Sequence, residues 1–124
     1  MIAGVGVDMV RIERMEKSLG SEAFWQRVFG EEERAFLEKL PPARRAASAA
    51  ANFAAKEAFL KACGKGLGGF ALADIQALRA ESGAPCYALR GAAAAHMAEN
   101  GLHASLSLSH EGGRAAAFAV LEKG

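Results

Sequence analysis

Hydrophobic and polar positions alternate at the start of the chain, over residues 2–10, which read IAGVGVDMV. Side chains two positions apart lie on the same face of a strand, so Ala3, Val5, Val7 and Met9 share one apolar face. The opposite face carries two glycines and an acid: Gly4, Gly6 and Asp8. The pattern predicts a β-strand with one apolar face and one nearly bare face that ends in a carboxylate.

After residue 10 the spacing of the apolar residues changes to the three- and four-residue intervals of helices. Apolar spacing together with capping and stop residues predicts four helices, over residues 11–20, 22–29, 31–40 and 43–63. Ser21 is the predicted N-cap of the second helix. Pro41 and Pro42 end the third helix and start the fourth, which is the longest.

After residue 73 the strand pattern returns. Two short strands joined by a turn at Ser82-Gly83 are predicted first, then an alanine-rich helix, then a hairpin that turns at Glu111-Gly112-Gly113. These elements cover residues 74–80, 85–89, 91–100, 102–110 and 114–122. The sequence therefore predicts an α+β fold in which an antiparallel sheet packs against the long helix, as a single domain over residues 1–124.

Composition narrows the class of protein. Hydrophobic residues make up 52% of the chain but aromatic residues only 7%, so close helix packing or burial between subunits is expected. The net charge of +1 gives no overall attraction to nucleic acid or membrane, and neither is an expected partner. Two cysteines without a metal-site or disulfide pattern, no signal peptide and no membrane-length apolar run predict a cytoplasmic protein.

The end of the long helix carries the first candidate chemistry. Glu57 and Lys61 are four residues apart and share a helix face, which alone is typical of a solvated surface pair. However, residues 46–62 are so apolar that no wide polar face exists for this pair. Both side chains point toward the glycine-rich loop at residues 64–69.

That loop, GKGLGG, supports two interpretations. It is either a helix end with a turn or a set of exposed amides that, beside Lys61 and Lys65, suits phosphate oxygens. It does not match the fingerprints of nucleotide-binding loops. The loop alone is therefore weak evidence for a site.

Asp8 also has two interpretations. An aspartate at a strand end commonly caps a turn or the following helix. Because Gly4 and Gly6 leave room beside it, the long helix could instead approach and bring Glu57 close to Asp8. Two carboxylates with space for water and phosphate are a usual Mg²⁺ site. Among the histidines, we expect His96 and His103 at the surface, whereas His110 lies at a hairpin turn, within reach of a ligand.

Three segments together resemble one family, the holo-[acyl-carrier-protein] synthases, which are small 4'-phosphopantetheinyl transferases. They are GVGVDMVRIERM at residues 4–15, FAAKEAFLKACGKG at 53–66 and SLSLSHEGGRAAAFAVLE at 105–122. The resemblance implies transfer of the 4'-phosphopantetheine arm of coenzyme A to a serine of an apo acyl carrier protein, with release of 3',5'-ADP, in fatty acid biosynthesis. It also implies a homotrimer with the coenzyme A pocket between subunits.

The resemblance further implies roles for individual residues. Asp8 and Glu57 would hold Mg²⁺, Lys61 would lie near the pyrophosphate, and Glu57 is the preferred general base. The coenzyme A pocket would be formed by five further residues, Gly64, Lys65, Gly66, Ser109 and His110. Two other functions are alternatives. Transfer to carrier domains of a megasynthase would use the same residues, whereas the intact Asp8, Glu57 and Lys61 argue against coenzyme A binding without catalysis.

Two positions raise questions of their own. Arg14 belongs to a basic stripe on the first helix, which is either simply solvated or a docking contact for the acidic carrier protein. Position 52 is Asn52, where the family often has an arginine near the nucleotide phosphates. Arg44, Arg45 or Lys65 could supply that charge, or coenzyme A is held less tightly.

Overall fold

A computed structural model of the chain describes residues 1–66 and 69–124. The predicted glycine loop over residues 64–69 falls partly outside this range, at positions 67 and 68. Five helices and five strands are described, along with a 3-10 turn at Leu72–Asp74 that the sequence pattern did not predict. In chain order they are β1 Ile2–Arg11, α1 Ile12–Ser18, α2 Glu22–Val28, α3 Glu31–Glu38, α4 Pro42–Ala62, β2 Ile75–Arg79, β3 Pro85–Leu89, α5 Gly91–Glu99, β4 Leu102–Glu111 and β5 Arg114–Lys123.

The strands form two antiparallel sheets. A three-stranded sheet has the order β1-β5-β4, and β2 pairs with β3 as a separate hairpin. The predicted hairpin at the C-terminal end is confirmed, with His110 opposite Ala115. β1 lies on the far side of β5, where Asp8 pairs with Ala117. The predicted α+β class, with an antiparallel sheet against a long helix, is therefore confirmed.

The bare face of β1 explains how the long helix reaches the sheet. A Cβ atom at Gly4 would lie 3.0 Å from the carbonyl carbon of Ala62, and one at Gly6 would lie 2.8 Å from the Ala62 nitrogen. Backbone therefore packs directly on backbone, which only glycine permits here. The prediction that the long helix approaches the strand beside these glycines is confirmed.

The apolar face of β1 points away from the helix. Val5, Val7 and Met9 are 53%, 57% and 62% exposed, and Phe118 on β5 is 46% exposed beside them. Ser109 lies on this same face, because it pairs with Ala116, which pairs in turn with Met9. The outer face of the sheet is thus apolar over β1 and β5 and serine-rich over β4.

A buried polar network joins α3, α4 and β2. The Lys56 ammonium forms an ion pair with the Glu33 carboxylate, and both side chains are fully buried. Lys56 also donates hydrogen bonds to the carbonyls of Leu72 and Ile75, at 2.9 and 2.8 Å. Burial lowers the pKa of Lys56 and raises that of Glu33, and their attraction opposes both changes. The network holds α4 at one rotation and leaves Glu57 on the outer side.

The remaining predicted details are close to the structure. Ser21 caps α2 by accepting a hydrogen bond from the Phe24 nitrogen, as predicted. Met15 on α1 is buried, in a core lined by the alanines of α4. Within the described residues, no helix combines the length and apolar character required to cross a bilayer.

Candidate active site

A cavity of about 560 Å³ opens where the end of β1 meets α1 and α4. Asp8 and Glu57 both line it, although 48 residues separate them in the chain. The two carboxylates are therefore brought to a common cleft, as expected from the glycine face of β1. The full lining is Asp8, Met9, Val10, Arg11, Arg14, Met15, Ser18, Phe24, Phe53, Glu57 and Arg114.

Lys61 joins the two elements directly. Its Nζ atom donates hydrogen bonds to the Val7 carbonyl at 2.9 Å and to Asp8 Oδ1 at 3.1 Å. The Asp8 side chain is only 16% exposed, whereas that of Lys61 is 54% exposed. The lysine therefore anchors the carboxylate from the solvent side and keeps its ammonium at the edge of the site.

The electrostatics of Glu57 reflect this crowding. Partial burial raises the pKa of the Glu57 carboxyl above its ordinary value, the negative charge of Asp8 raises that pKa further, and Lys61 lowers it. Two neighbouring negative charges repel each other, and a cation that binds between them relieves this repulsion. The pair is therefore better suited to a cation than two separate surface acids would be.

These residues fit a magnesium ion that takes some of its ligands from the protein and the others from water and a substrate. Among residues 1–66 and 69–124, no group of three or more His, Cys, Asp or Glu side chains is placed to bind a metal on its own. Mg²⁺ usually takes one or two carboxylates and completes its shell with water and substrate phosphate oxygens. Asp8 and Glu57 supply that number of carboxylates, and the cavity beside them supplies the space.

The helix end departs from one expectation. Gly64 has a φ of 74°, and the Gly64 and Lys65 amides donate to the carbonyls of Lys61 and Leu60, closing the helix as a Schellman motif. These two amides are thus engaged in the helix end rather than open to phosphate oxygens. The Lys65 ammonium lies 5.4 Å from the centre of the Phe70 ring. In the described loop, Gly66 and the lysine side chains remain as predicted contacts.

Ser109 and His110 do not join the carboxylates within this chain. Ser109 lies on the outer face of the sheet, and His110 lines a second cavity of about 240 Å³. Ser48 also lines that cavity and precedes Glu57 by nine residues, about two and a half helical turns, so the two residues lie on opposite faces of α4. The predicted pocket residues therefore do not meet within one chain: Lys61 lies beside Asp8, His110 lies across the long helix from it, and Ser109 lies on the outer face of the sheet.

Asn52 is fully buried, which answers part of the question raised by its position. Its amide nitrogen donates to Glu33 Oε2 at 3.1 Å and to the Ala77 carbonyl at 2.9 Å, and its Oδ1 accepts from Arg79 at 2.9 Å. Arg45 is also engaged, because its guanidinium donates to three carbonyls at the end of α3. Arg45 is therefore a structural cap in this chain.

Arg14 is exposed and lies at the rim of the first cavity. Arg114 joins it there, because β5 starts opposite Arg11 in the sheet register. The sequence reasoning missed Arg114, and it also missed the aromatic wall formed by Phe24 and Phe53. The position of Arg114 depends on the pairing of β5 with β1, and the aromatic residues belong to separate helices, so no local pattern indicated either feature.

An α+β domain that brings two carboxylates to one cleft, with a lysine bound to one of them, fits the class of enzymes that act on phosphate esters with a divalent cation. Residues 4–119 match the model of a family described as the 4'-phosphopantetheinyl transferase superfamily. A holo-[acyl-carrier-protein] synthase of Treponema denticola is 42% identical, over 98% of this chain and 99% of that protein. One of Geobacillus kaustophilus is 38% identical, over 99% and 91%.

A crystal structure of a holo-(acyl-carrier-protein) synthase from Bacillus anthracis, in complex with CoA (3',5'-ADP), has the same fold. Its TM-score to this chain is 0.85 at 33% identity, and the match covers 100% of this chain and 99% of that one. The chain belongs to the 4'-phosphopantetheinyl transferase superfamily, and its resemblance to the holo-[acyl-carrier-protein] synthases is confirmed.

Proposed function

We propose that this chain is a single-domain, Mg²⁺-dependent enzyme that transfers the 4'-phosphopantetheine arm of coenzyme A to a serine of an apo acyl carrier protein. The other product is 3',5'-ADP, and the reaction serves fatty acid biosynthesis in the cytoplasm, where free thiols such as Cys63 and Cys86 stay reduced. The observation that carries the proposal is the meeting of Asp8 and Glu57 at one cavity, with Lys61 hydrogen-bonded to Asp8. The names of the similar proteins and the coenzyme A complex of the Bacillus anthracis enzyme support it.

Asp8 and Glu57 would hold the ion, which would neutralise charge on the diphosphate and make its phosphorus more electrophilic. Lys61 is positioned to offset the charge that develops on the departing phosphate. The serine oxygen forms a bond to the β-phosphorus while the bond from that phosphorus to the bridging oxygen breaks, and 3',5'-ADP leaves with the electron pair. The serine proton passes to Glu57, directly or through water, and the raised pKa of this carboxyl favours that role.

A second copy of the chain is required to complete the site in this proposal. One chain keeps His110 and Ser48 on the side of α4 that faces away from Asp8 and Glu57. A coenzyme A molecule whose diphosphate lies at the acids would therefore meet these residues only on a neighbouring subunit. The exposed apolar residues of β1 and β5 supply a surface for such contacts, and we propose the homotrimer that the family resemblance implies.

The carrier protein would approach the open side of the first cavity. Arg14 projects there from α1, so an acidic partner would be steered toward the cleft where its serine must arrive. Phe24 and Phe53 line the same cavity and offer apolar contact next to the charged rim. Arg14 is the residue that we assign to docking.

The test is incubation of the protein with coenzyme A, Mg²⁺ and a panel of apo carriers, followed by intact-mass measurement of each carrier. The expected result is addition of one phosphopantetheine group to a discrete fatty-acid carrier protein. Glu57→Gln should abolish the addition with the fold intact, whereas the exposed Glu99→Gln should leave it unchanged. Modification of megasynthase carrier domains alone would change the assigned acceptor, and no modification of any carrier would reject the proposed activity.

A further inference from the structure

The second cavity lies between the first half of α4, the β2-β3 hairpin and the end of β4. It is lined in part by Ser48, Arg79, Gly83, Pro85 and His110. Arg79 is the fixed positive charge of this set, and Ser48 and His110 add groups that can donate hydrogen bonds. The function proposed above gives no role to Arg79, and no sequence motif pointed to it.

Arg79 is held in place by neutral partners. Its Nη2 atom donates to Asn52 Oδ1 at 2.9 Å, and its Nη1 atom donates to the Leu78 carbonyl at 3.2 Å. The guanidinium carbon lies 5.2 Å from the centre of the Phe36 ring, within the range of a cation–π contact. Asn52 is itself fixed by Glu33 and Ala77, so the orientation of the arginine is anchored in the core.

The charge of Arg79 has no close counter-charge in the described part of the chain. Within residues 1–66 and 69–124, the ion pairs at 4.0 Å or less involve other cations, namely Arg34, Lys56, Lys61 and Arg90. Burial lowers the pKa of Arg79 and the charge of Glu33 raises it, but the Glu33 carboxylate is already paired with Lys56. A half-buried guanidinium that is oriented by neutral groups and faces a cavity remains available to an anion.

The chemistry of the proposed substrate identifies that anion. Coenzyme A carries two anionic centres, the diphosphate and a phosphate monoester on the ribose, joined to an uncharged arm. The proposed function places the diphosphate at Lys61 and the two acids, on the opposite side of α4 from Arg79. The phosphate monoester is then the remaining partner for this cation, presented by a substrate molecule bound at the acids of a neighbouring copy.

We propose that Arg79, oriented by Asn52, binds the 3'-phosphate of coenzyme A and determines the preference of the enzyme for coenzyme A over 3'-dephospho-coenzyme A. The inference rests on the function proposed above. In this proposal Arg79, which lies 27 positions after Asn52, supplies the positive charge that an arginine at position 52 would otherwise provide. Asn52 does not bind the phosphate itself, but orients the guanidinium of Arg79 through a hydrogen bond.

Binding and kinetics test this assignment. Calorimetry measures the affinity for 3',5'-ADP and for 5'-ADP, and steady-state assays measure KM and kcat with coenzyme A and with its 3'-dephospho form. Arg79→Gln should weaken 3',5'-ADP binding about 10- to 100-fold, the range expected for loss of a charge-assisted hydrogen bond, and should leave 5'-ADP binding unchanged. KM for coenzyme A should rise to that for the dephospho form, with kcat retained at saturation.

Matched variants separate this effect from general loss of charge or of folding. Arg27→Gln removes one positive charge from an exposed position on α2 and should leave both affinities unchanged. If Arg79→Gln does not fold, His110→Ala, at an exposed lip of the same cavity, should still raise KM for coenzyme A and not for the dephospho form. Arg44→Gln tests the other arginine on the first turns of α4 and should preserve the preference.

Different outcomes would reject the role of Arg79 and the proposed function. A folded Arg79→Gln that still prefers coenzyme A, or equal weakening of 3',5'-ADP and 5'-ADP, overturns the assignment and leaves the proposed function in place. The same holds if His110→Ala raises both KM values equally. Failure of the unmodified protein to bind 3',5'-ADP and to modify any carrier rejects the proposed function, and the role of Arg79 is rejected with it.

Discussion

Replacement of Gly6 by alanine tests the link between the fold and the chemistry most directly. A Cβ atom at this position would lie 2.9 Å from the Ala58 carbonyl carbon and 2.8 Å from the Ala62 nitrogen, and closer still to the Ala58 carbonyl oxygen. Carbon atoms prefer a separation of about 3.5 Å, so β1 and α4 would have to separate by at least about 0.6 Å. The obstructing atoms are backbone atoms, which cannot rotate away as a side chain can.

The expected consequences follow from that displacement. Overpacking of this kind costs about 1–3 kcal/mol of folding stability, and the upper end is expected because the clash is with backbone. For a chain of this size the loss corresponds to a decrease in Tm of about 5–15 °C. Because β1 carries Asp8 and α4 carries Glu57, the same shift moves the carboxylates apart, and a misplacement near 1 Å lowers turnover by about 100-fold.

Thermal denaturation and the intact-mass transfer assay measure the two effects on one sample. Gly20→Ala is the matched control, because a Cβ atom there would lie 3.3 Å from a single carbonyl oxygen at an exposed turn. It should leave Tm and activity near the unmodified values. If Gly6→Ala also keeps both values, direct backbone packing is not what positions Asp8 beside Glu57, and the reasoning is wrong.

Three further predictions concern other parts of the chain. Lys56→Met leaves Glu33 buried without its cation and should cost about 3–5 kcal/mol in urea denaturation. The cost should be larger at pH 8 than at pH 5, because burial raises the pKa of Glu33 and stability falls as pH rises through that pKa. Arg14→Glu should weaken carrier binding about tenfold in calorimetry, with coenzyme A affinity unchanged. Val7→Arg should convert the proposed trimer to a monomer in sedimentation, because it places a charge in an apolar face.

Each of these has a control and an opposing result. Lys39→Met, at an exposed site, should leave stability unchanged, and a pH-independent loss in Lys56→Met would contradict the role of the Glu33 carboxyl. Equal weakening of carrier and coenzyme A binding would reject docking by Arg14. Ala98→Arg, on the exposed side of α5, should not alter assembly, and a Val7→Arg protein that remains trimeric would show that β1 lies outside the interface.

Much of the fold was predictable because its signals are local. The alternation over residues 2–10, the Ser21 cap and the hairpin at residues 111–113 each depend on neighbouring residues, and each appears in the structure as predicted. The 3-10 turn at Leu72–Asp74 was missed because three residues carry no periodic pattern. The sequence left two interpretations of the Gly64 and Lys65 amides open, because exposed amides and a helix end both favour glycine at the same place, and the structure shows the helix end.

The sequence by itself determined which residue types were available for chemistry: an acid after a glycine-bearing strand, an acid and a lysine one turn apart on an apolar helix, and the motifs of a family. It also determined that β1 had a bare face on which another element could lie. Only the tertiary structure decided that Asp8 and Glu57 share a cavity, that His110 lies across the helix from them, and that Asn52 orients Arg79. Local patterns depend on the period of one element, whereas these relations depend on how separate elements pack against each other.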